Sequence, residues 1–185
     1  KNFLYNYEKI SLNIPYDNLL ILEENRDQLV ENAIVDGTFR NKNDEFKITQ
    51  AKLSFNEKEY DVNIRLKGVR TTHFREKDKS SYKITIRGNK RLDGMKKFSF
   101  IKPRMRNYIH EWFFHEFASL GNLVKLNYKF FYLYINGSSK GLYVLEEGFD
   151  KELLERNKRR NGPILSVYAE FDPNVFNSKL EVYNK

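Results

Sequence analysis

Hydrophobic and polar residues alternate along two neighbouring stretches in the first half of the chain. In 59–67, Tyr60, Val62, Ile64 and Leu66 fall on one face and charged or amide residues, Arg65 and Lys67 among them, on the other. A period of two is typical of a strand with one buried face. The stretch 46–55 precedes it across a short polar turn, so the pattern predicts a strand pair.

The rest of the chain predicts five more strands, separated by turns and by one basic loop at 68–79. The segment 128–135 is apolar on both faces, like a central strand, and Asn136-Gly137 turns it into the next as a hairpin. Pro103 ends the predicted strand at 95–101. These five strands are predicted at 81–87, 95–101, 128–135, 141–147 and 164–171.

Helical spacing of apolar residues predicts helices at 16–35, 107–120 and 149–157. Asp17 can cap the first helix, and Asp36-Gly37 ends it. The order βαββββαββαβ, with hairpins, predicts an α+β fold with a mainly antiparallel sheet and packed helices. No linker or repeat divides the chain, so 1–185 is predicted to be a single domain or a partial domain.

The helix at 107–120 carries one residue that its pattern does not explain. Ile109, Trp112, Phe113, Phe117 and Leu120 form an apolar stripe, and Glu116 falls in its middle. A buried carboxylate needs a cation or a cleft, so we expect Glu116 to be partly buried beside one of them. The alternative is a side chain at the edge of the packed face that reaches water.

Composition and net charge say more about the ligands that the protein could bind than about its fold. The chain has 185 residues, a formal net charge of +8 and no cysteine, which excludes thiolate catalysis and disulfides. A basic surface favours anions such as nucleotides, nucleic acid or anionic glycans, although biased codon usage also produces Lys-rich chains. No apolar run approaches the roughly 20 residues of a membrane span.

Lys79, Ser81 and Lys83 lie on one face of the predicted strand at 81–87 and its approach. Two ammonium groups projecting together suit a phosphate, whereas the alternative is the solvated face of an edge strand. The adjacent loop matches no phosphate-binding glycine motif. Metal-ligand spacing is also missing from the three histidines, so no zinc site is predicted, and Glu146-Glu147 point to opposite strand faces, which disfavours a glycosidase pair.

Six segments together resemble the CotH kinase family over about 61–165. They are R-L-K-G at 65–68, K-S-S-Y-K at 79–83, G-M-K-K-F-S at 94–99, R-N-Y-I-H-E-W at 106–112, I-N-G-S-S-K-G-L-Y-V-L-E-E at 135–147 and N-G-P-I-L at 161–165. The resemblance implies an atypical protein kinase of spore coats or cell surfaces, with a distorted kinase-like fold that uses ATP with Mg or Mn. The chain then looks like the amino-terminal part of that fold.

The resemblance also implies roles for individual residues. Lys79 or Lys83 resembles the strand lysine that holds nucleotide phosphates, and Glu111 matches the family position at the helix start, whereas the helical wheel favours Glu116 as the lysine partner. Lys79, Glu111 and Glu116 are therefore candidate catalytic residues. The candidate cofactor-binding residues are Arg65, Lys83, Glu146 and Glu147.

The catalytic and metal-binding aspartates of the family belong to a later lobe, in a D-x-x-x-x-N-like pattern. After Asn161 this chain offers only Glu170-Phe171-Asp172, so we expect it to be inactive alone and only the complete protein to transfer the γ-phosphate of ATP to Ser or Thr of a surface or coat protein. That expectation places the protein outside the cytoplasm or at the cell surface. The alternative is a non-catalytic module that binds an anionic polymer, nucleic acid or surface glycan, through Arg70, Arg75 and Lys77 with their neighbours.

Overall fold

The computed structural model describes residues 8–172 and 175–183, with side chains through residue 165. Seven strands close into a barrel in the order β1-β2-β3-β4-β5-β7-β6. They are β1 (Glu8–Asn13), β2 (Thr49–Phe55), β3 (Lys58–Leu66), β4 (Tyr82–Ile86), β5 (Lys97–Ile101), β6 (Tyr128–Ile135) and β7 (Ser138–Glu147). A separate two-stranded sheet holds β8 (Ile164–Asp172) and β9 (Val175–Tyr183).

The prediction of an α+β, kinase-like fold with packed helices is wrong, because the sheet is a closed barrel. β1 causes the closure: it pairs antiparallel with β2 on one side and parallel with β6 on the other. Ile10 and Leu12 of β1 are buried, and its remaining residues are exposed. One short strand therefore joins the two edges that an open sheet would leave free.

The barrel core contains the side chains that strand alternation placed inward. Tyr60, Val62, Ile64 and Leu66 of β3 are buried, which confirms the predicted face. The tight turn before β3 holds Asn56 and Glu57, both with positive φ, as a two-residue hairpin of this hand requires. The predicted Asn136-Gly137 hairpin is confirmed in the same way between β6 and β7.

Three helices occur in the described chain, and each is shorter than predicted. They are α1 (Tyr16–Glu31), α2 (His110–Leu120) and α3 (Lys151–Arg156). Pro15, not Asp17, precedes the first turn of α1, and no side chain caps that helix. Leu22 and Leu29 bury one side of α1. None of these helices is both long and apolar enough to cross a membrane.

The loop between β3 and β4 was predicted as polar and basic, and it carries one short 3₁₀ turn at Thr71–His73. Phe74, which follows this turn, is fully buried and belongs to the core cluster. A second 3₁₀ turn at Pro103–Arg106 follows β5. These two turns carry two of the residues that build the site described next, His73 and Arg106.

Candidate functional site

A row of polar side chains crosses the outer face of the barrel. Cross-strand pairing sets Arg65 opposite Lys83, Lys83 opposite Ser99, and Ser99 opposite Glu146. Tyr128 continues the row on β6, opposite Glu146. The strand neighbours of these residues, such as Ile64 and Phe100, point into the core, so alternation fixes the row on the outside.

Glu146 is the only carboxylate of this outer row, and two cations hold it. Lys67 Nζ lies 2.8 Å from Oε1, while Arg106 donates from Nε to Oε2 at 2.7 Å and from Nη2 to Oε1 at 3.2 Å. Only 9% of the Glu146 side chain is exposed. Burial alone would raise the pKa of Glu146, but Lys67 and Arg106 outweigh it and lower that pKa to about 2.

The row carries more positive charge than Glu146 can neutralise. Lys83 is half-buried and has no acidic partner within salt-bridge distance among the described residues. Burial, followed by the charges of Arg65 and Lys67, lowers the pKa of its ammonium. Arg65 donates to the carbonyl oxygen of Leu66 and lies over the ring of Phe46, and no described carboxylate forms a salt bridge with it. The cluster therefore contains four cations and one carboxylate, and only Lys67 and Arg106 contact that carboxylate.

His73 covers this cluster from the loop after β3. Its Nδ1 lies 3.1 Å from Ser81 Oγ, and burial, followed by the charges of Arg106, Lys67 and Lys102, lowers its pKa to about 4. The ring packs directly on Gly68, where an added Cβ would lie 2.4 Å from a ring carbon. The glycine of the R-L-K-G segment thus makes room for a neutral imidazole over the cations.

The structure separates the two lysines that the sequence grouped. Lys83 lies in the outer row, but Lys79 lies before β4, with its ammonium 5.5 Å from the centre of the Tyr143 ring. Neither lysine forms a salt bridge with Glu111 or Glu116 in the described part of the chain. At this site the lysine that pairs with a glutamate is Lys67, and its partner is Glu146.

The two candidate glutamates of α2 have different surroundings. Glu116 is exposed, which makes the expectation of a partly buried carboxylate wrong. Glu111 lies 3.7 Å from His115 Nε2. Burial alone would lower the pKa of Arg106, but Glu146 and, to a smaller extent, Glu111 outweigh burial and raise it, which places Glu111 at the edge of the cluster. The helix turns only His115 and Ala118 into the protein, and the aromatic stripe faces outward.

Glu147 points to the opposite strand face from Glu146, as alternation predicted. Its buried carboxylate pairs with Arg156 of α3 and accepts a hydrogen bond of 2.7 Å from the backbone N–H of Asn127. Both oxygens are therefore engaged in joining α3 and the start of β6 to β7. Of the predicted cofactor-binding residues, Arg65, Lys83 and Glu146 come together, and Glu147 does not join them.

Sequence reasoning left Lys67 and Arg106 out of the site. Both were visible in the pattern: Lys67 continues the polar face of β3 beyond Arg65, and Arg106 opens the R-N-Y-I-H-E-W segment. The local sequence does not show that both contact Glu146, which lies 79 residues from Lys67 and 40 from Arg106 along the chain.

Comparison with known proteins assigns the family. A search of curated proteins gives no significant match. The sequence matches the family described as CotH kinase protein over residues 64–184, which is more than half of the chain and extends beyond the segments that suggested it. This range contains every residue of the outer row. The chain belongs to the CotH kinase protein family.

Proposed function

We propose that this chain is the nucleotide-binding part of a CotH protein kinase and that its outer row holds the phosphates of ATP. The observation that carries the proposal is the excess of positive charge contributed by the end of β3, by β4 and by the 3₁₀ turn after β5. Arg65, Lys67, Lys83 and Arg106 lie around one carboxylate, and none of the described acidic residues pairs with Arg65 or Lys83. Half-buried cations without counter-ions favour an anion of several charges.

The row also separates supporting residues from binding residues. Glu146 fixes Lys67 and Arg106 in place through three hydrogen bonds. Arg65 and Lys83, which pair with no described carboxylate, would meet the phosphate oxygens, with Ser99 beside Lys83 in the row as a hydroxyl donor. An arginine binds phosphate through a planar fork and a lysine as a point charge, so the two complement each other.

A resident metal ion does not fit the described residues. They contain no group of three or more His, Asp or Glu side chains that could hold one. Both oxygens of Glu146 are already bound to cations. The proposal therefore assigns no step to Mg or Mn held by these side chains, and a divalent ion enters only as the companion of ATP in solution.

The complete protein would transfer the γ-phosphoryl group of ATP to a Ser or Thr hydroxyl of a surface or coat protein. This part of the proposal rests on membership of the family. It implies a location at a spore coat or cell surface, and it leaves phosphate binding, not transfer, as the task of the outer row.

The rival proposal, an anionic polymer on the basic loop, has less support from the contacts. Arg75 donates to the carbonyl oxygen of Gly37, and Arg70 lies 5.4 Å over the ring of Phe39. These two cations fasten the loop to the segment after α1, and neither converges with the outer row in these contacts. We therefore favour the row over the loop as the anion site.

Thermal unfolding with and without ATP tests the proposal. A ligand at 100 times its Kd adds about 2.7 kcal/mol, so several millimolar ATP with Mg²⁺ should raise the melting temperature of the wild-type chain. The double variant Arg65→Gln, Lys83→Gln should weaken ATP binding at least about tenfold, because two charged hydrogen bonds to phosphate are lost.

The matched control removes two charges elsewhere: Lys9→Gln, Lys47→Gln changes two exposed lysines outside the row. It should bind ATP like the wild type. Equal loss in both double variants would show a general charge effect and contradict the proposed site. A melting shift with heparin but none with ATP would favour the polymer-binding module.

A further inference from the structure

His73 lies against a buried serine on the same strand face as Lys83. Ser81 precedes Lys83 by two residues and so shares its outward side, yet Ser81 is fully buried, and His73 Nδ1 lies 3.1 Å from its Oγ. The backbone N–H of Ser81 also donates to the carbonyl oxygen of His73 at 2.7 Å. These two contacts hold the ring beside Lys67, whose backbone N–H donates to the Ser81 carbonyl oxygen.

The hydrogen bond to Ser81 assigns the tautomer of His73. A neutral imidazole has one N–H donor and one acceptor nitrogen, and a hydroxyl can pair with either. Among the described residues, His73 Nδ1 is the sole partner of the Ser81 hydroxyl. A buried hydroxyl hydrogen without an acceptor is costly, so Ser81 donates to Nδ1 and the ring proton lies on Nε2.

Nε2–H has no acceptor within the described part of the chain, although its surroundings are strongly charged. Burial, followed by the charges of Arg106, Lys67 and Lys102, lowers the pKa of His73 to about 4, so the ring is neutral at pH 7. The carboxylate that also acts on the ring is Glu146, and Lys67 and Arg106 occupy both of its oxygens. A neutral N–H donor beside cations, with no acceptor of its own, suits an anion from outside the chain.

We propose that His73 is a further ligand of the anion in the outer row and that its Nε2–H donates to a phosphate oxygen of ATP. Ser81 is the positioning residue, because its hydroxyl sets the tautomer that carries this proton. The inference rests on the proposed function for the identity of the anion. It adds a donor from the loop after β3, so the phosphates are held from the loop as well as from the strands.

Isothermal titration calorimetry with ATP and Mg²⁺ at pH 7 tests the ligand role. His73→Asn keeps an amide but ends short of Nε2, so ATP should bind about tenfold more weakly, as expected for the loss of one hydrogen bond to a charged group. His73→Gln carries an amide N–H farther out, near the position of Nε2, and should recover most of that loss. The matched control is His110→Asn, at an exposed histidine outside the row, which should bind ATP like the wild type.

Imidazole NMR of the wild-type chain gives a readout that a merely structural role would not move. The chain has three histidines, so single substitutions assign their long-range ¹H–¹⁵N signals. The free chain should show the Nε2–H tautomer of His73. ATP should shift the Nε2 resonance and raise the pKa of the ring, because phosphate charge offsets the three neighbouring cations. Ser81→Ala should mix the two tautomers and weaken ATP binding, and the wild-type spectra decide the matter even if His73→Asn does not fold.

The same measurements separate this inference from the proposed function. If Arg65→Gln, Lys83→Gln weakens ATP binding while His73→Asn binds ATP like the wild type, the outer row holds ATP and His73 is not a ligand. An Nδ1–H tautomer in the free chain, or His73 signals that ATP leaves unchanged, also overturns the inference. Inorganic tripolyphosphate should reproduce the loss in His73→Asn, whereas a loss seen with ATP alone would place His73 at the nucleoside and overturn it. A wild-type chain that binds neither ATP nor tripolyphosphate overturns both proposals.

Discussion

Replacing Glu146 with glutamine tests whether the outer row depends on one buried carboxylate. The change keeps the shape of the side chain but removes the charge that Lys67 and Arg106 share. Lys67 and Arg106, with 25% and 31% of their side chains exposed, would then lack a counter-ion. Breaking a buried pair on one side typically costs 3–5 kcal/mol, so Glu146→Gln should lower the free energy of unfolding by about that amount at pH 7.

The pH dependence gives an independent estimate of the same quantity. The pKa of Glu146 falls from 4.5 to about 2 on folding, which corresponds to about 3 kcal/mol. Because the folded pKa is the lower one, this stabilisation is complete above about pH 5 and is lost as the pH falls toward 2. The wild type should therefore approach the Glu146→Gln variant in stability over that range.

Urea unfolding followed by circular dichroism, from pH 7 to pH 3, measures both effects. Glu59→Gln is the control: Glu59 lies 3.9 Å from Lys52, with about two thirds of both side chains exposed, and its loss should cost less than about 1 kcal/mol. The reasoning is refuted if the gap between wild type and Glu146→Gln stays constant down to pH 3. It is also refuted if the two variants cost the same at pH 7.

Substitutions at Gly68 and Glu147 test the packing of His73 on Gly68 and the ion pair between Glu147 and Arg156. Gly68→Ala should cost well over 1 kcal/mol in urea unfolding, because φ is +125° and the new Cβ would overlap the His73 ring, whereas Gly88→Ala, with φ of +68° and open space around it, should cost about 1 kcal/mol. Equal costs would show that the His73 ring moves aside freely. Glu147→Gln should cost about 3 kcal/mol, because it leaves Arg156 without its buried partner, and a cost below 1 kcal/mol would contradict that role.

The local pattern of the sequence was enough to predict most of the strands. Period-two alternation identified the buried face of β3, and the Asn136-Gly137 pair identified the β6–β7 hairpin. Alternation also placed Glu146 and Glu147 on opposite strand faces, where the structure finds them with different partners. These features depend on residues a few positions apart, so a sequence pattern can encode them.

The family was also predictable, because ordered short segments carried the resemblance that the family comparison confirms. The predicted fold class was wrong for a different reason. The parallel pairing of β1 with β6 joins residues more than 100 positions apart, and no feature within β1 distinguishes it from an ordinary edge strand. Only the assembled sheet decides whether its two edges meet.

The α2 helix shows that a sequence pattern can identify an apolar face without showing whether that face is buried. Its helical wheel correctly grouped Ile109, Trp112, Phe113, Phe117 and Leu120 on one side, but it assigned that side to the interior. Periodicity reports which side of a helix is apolar, and only the tertiary structure shows whether anything covers it. In this helix His115 and Ala118 are buried against the rest of the protein, and the apolar stripe is exposed.

The candidate site also contains residues that the sequence could identify and a grouping that only the tertiary structure shows. Arg65, Lys83 and Glu146 could be selected from the sequence because strand alternation and the family segments both point to them. Their grouping with Lys67 and Arg106 depended on the register of four strands and on a turn after β5 that carries Arg106 back over the sheet. Side-chain direction follows from the neighbouring residues, whereas the meeting of distant charges follows from chain topology, which the local sequence does not encode.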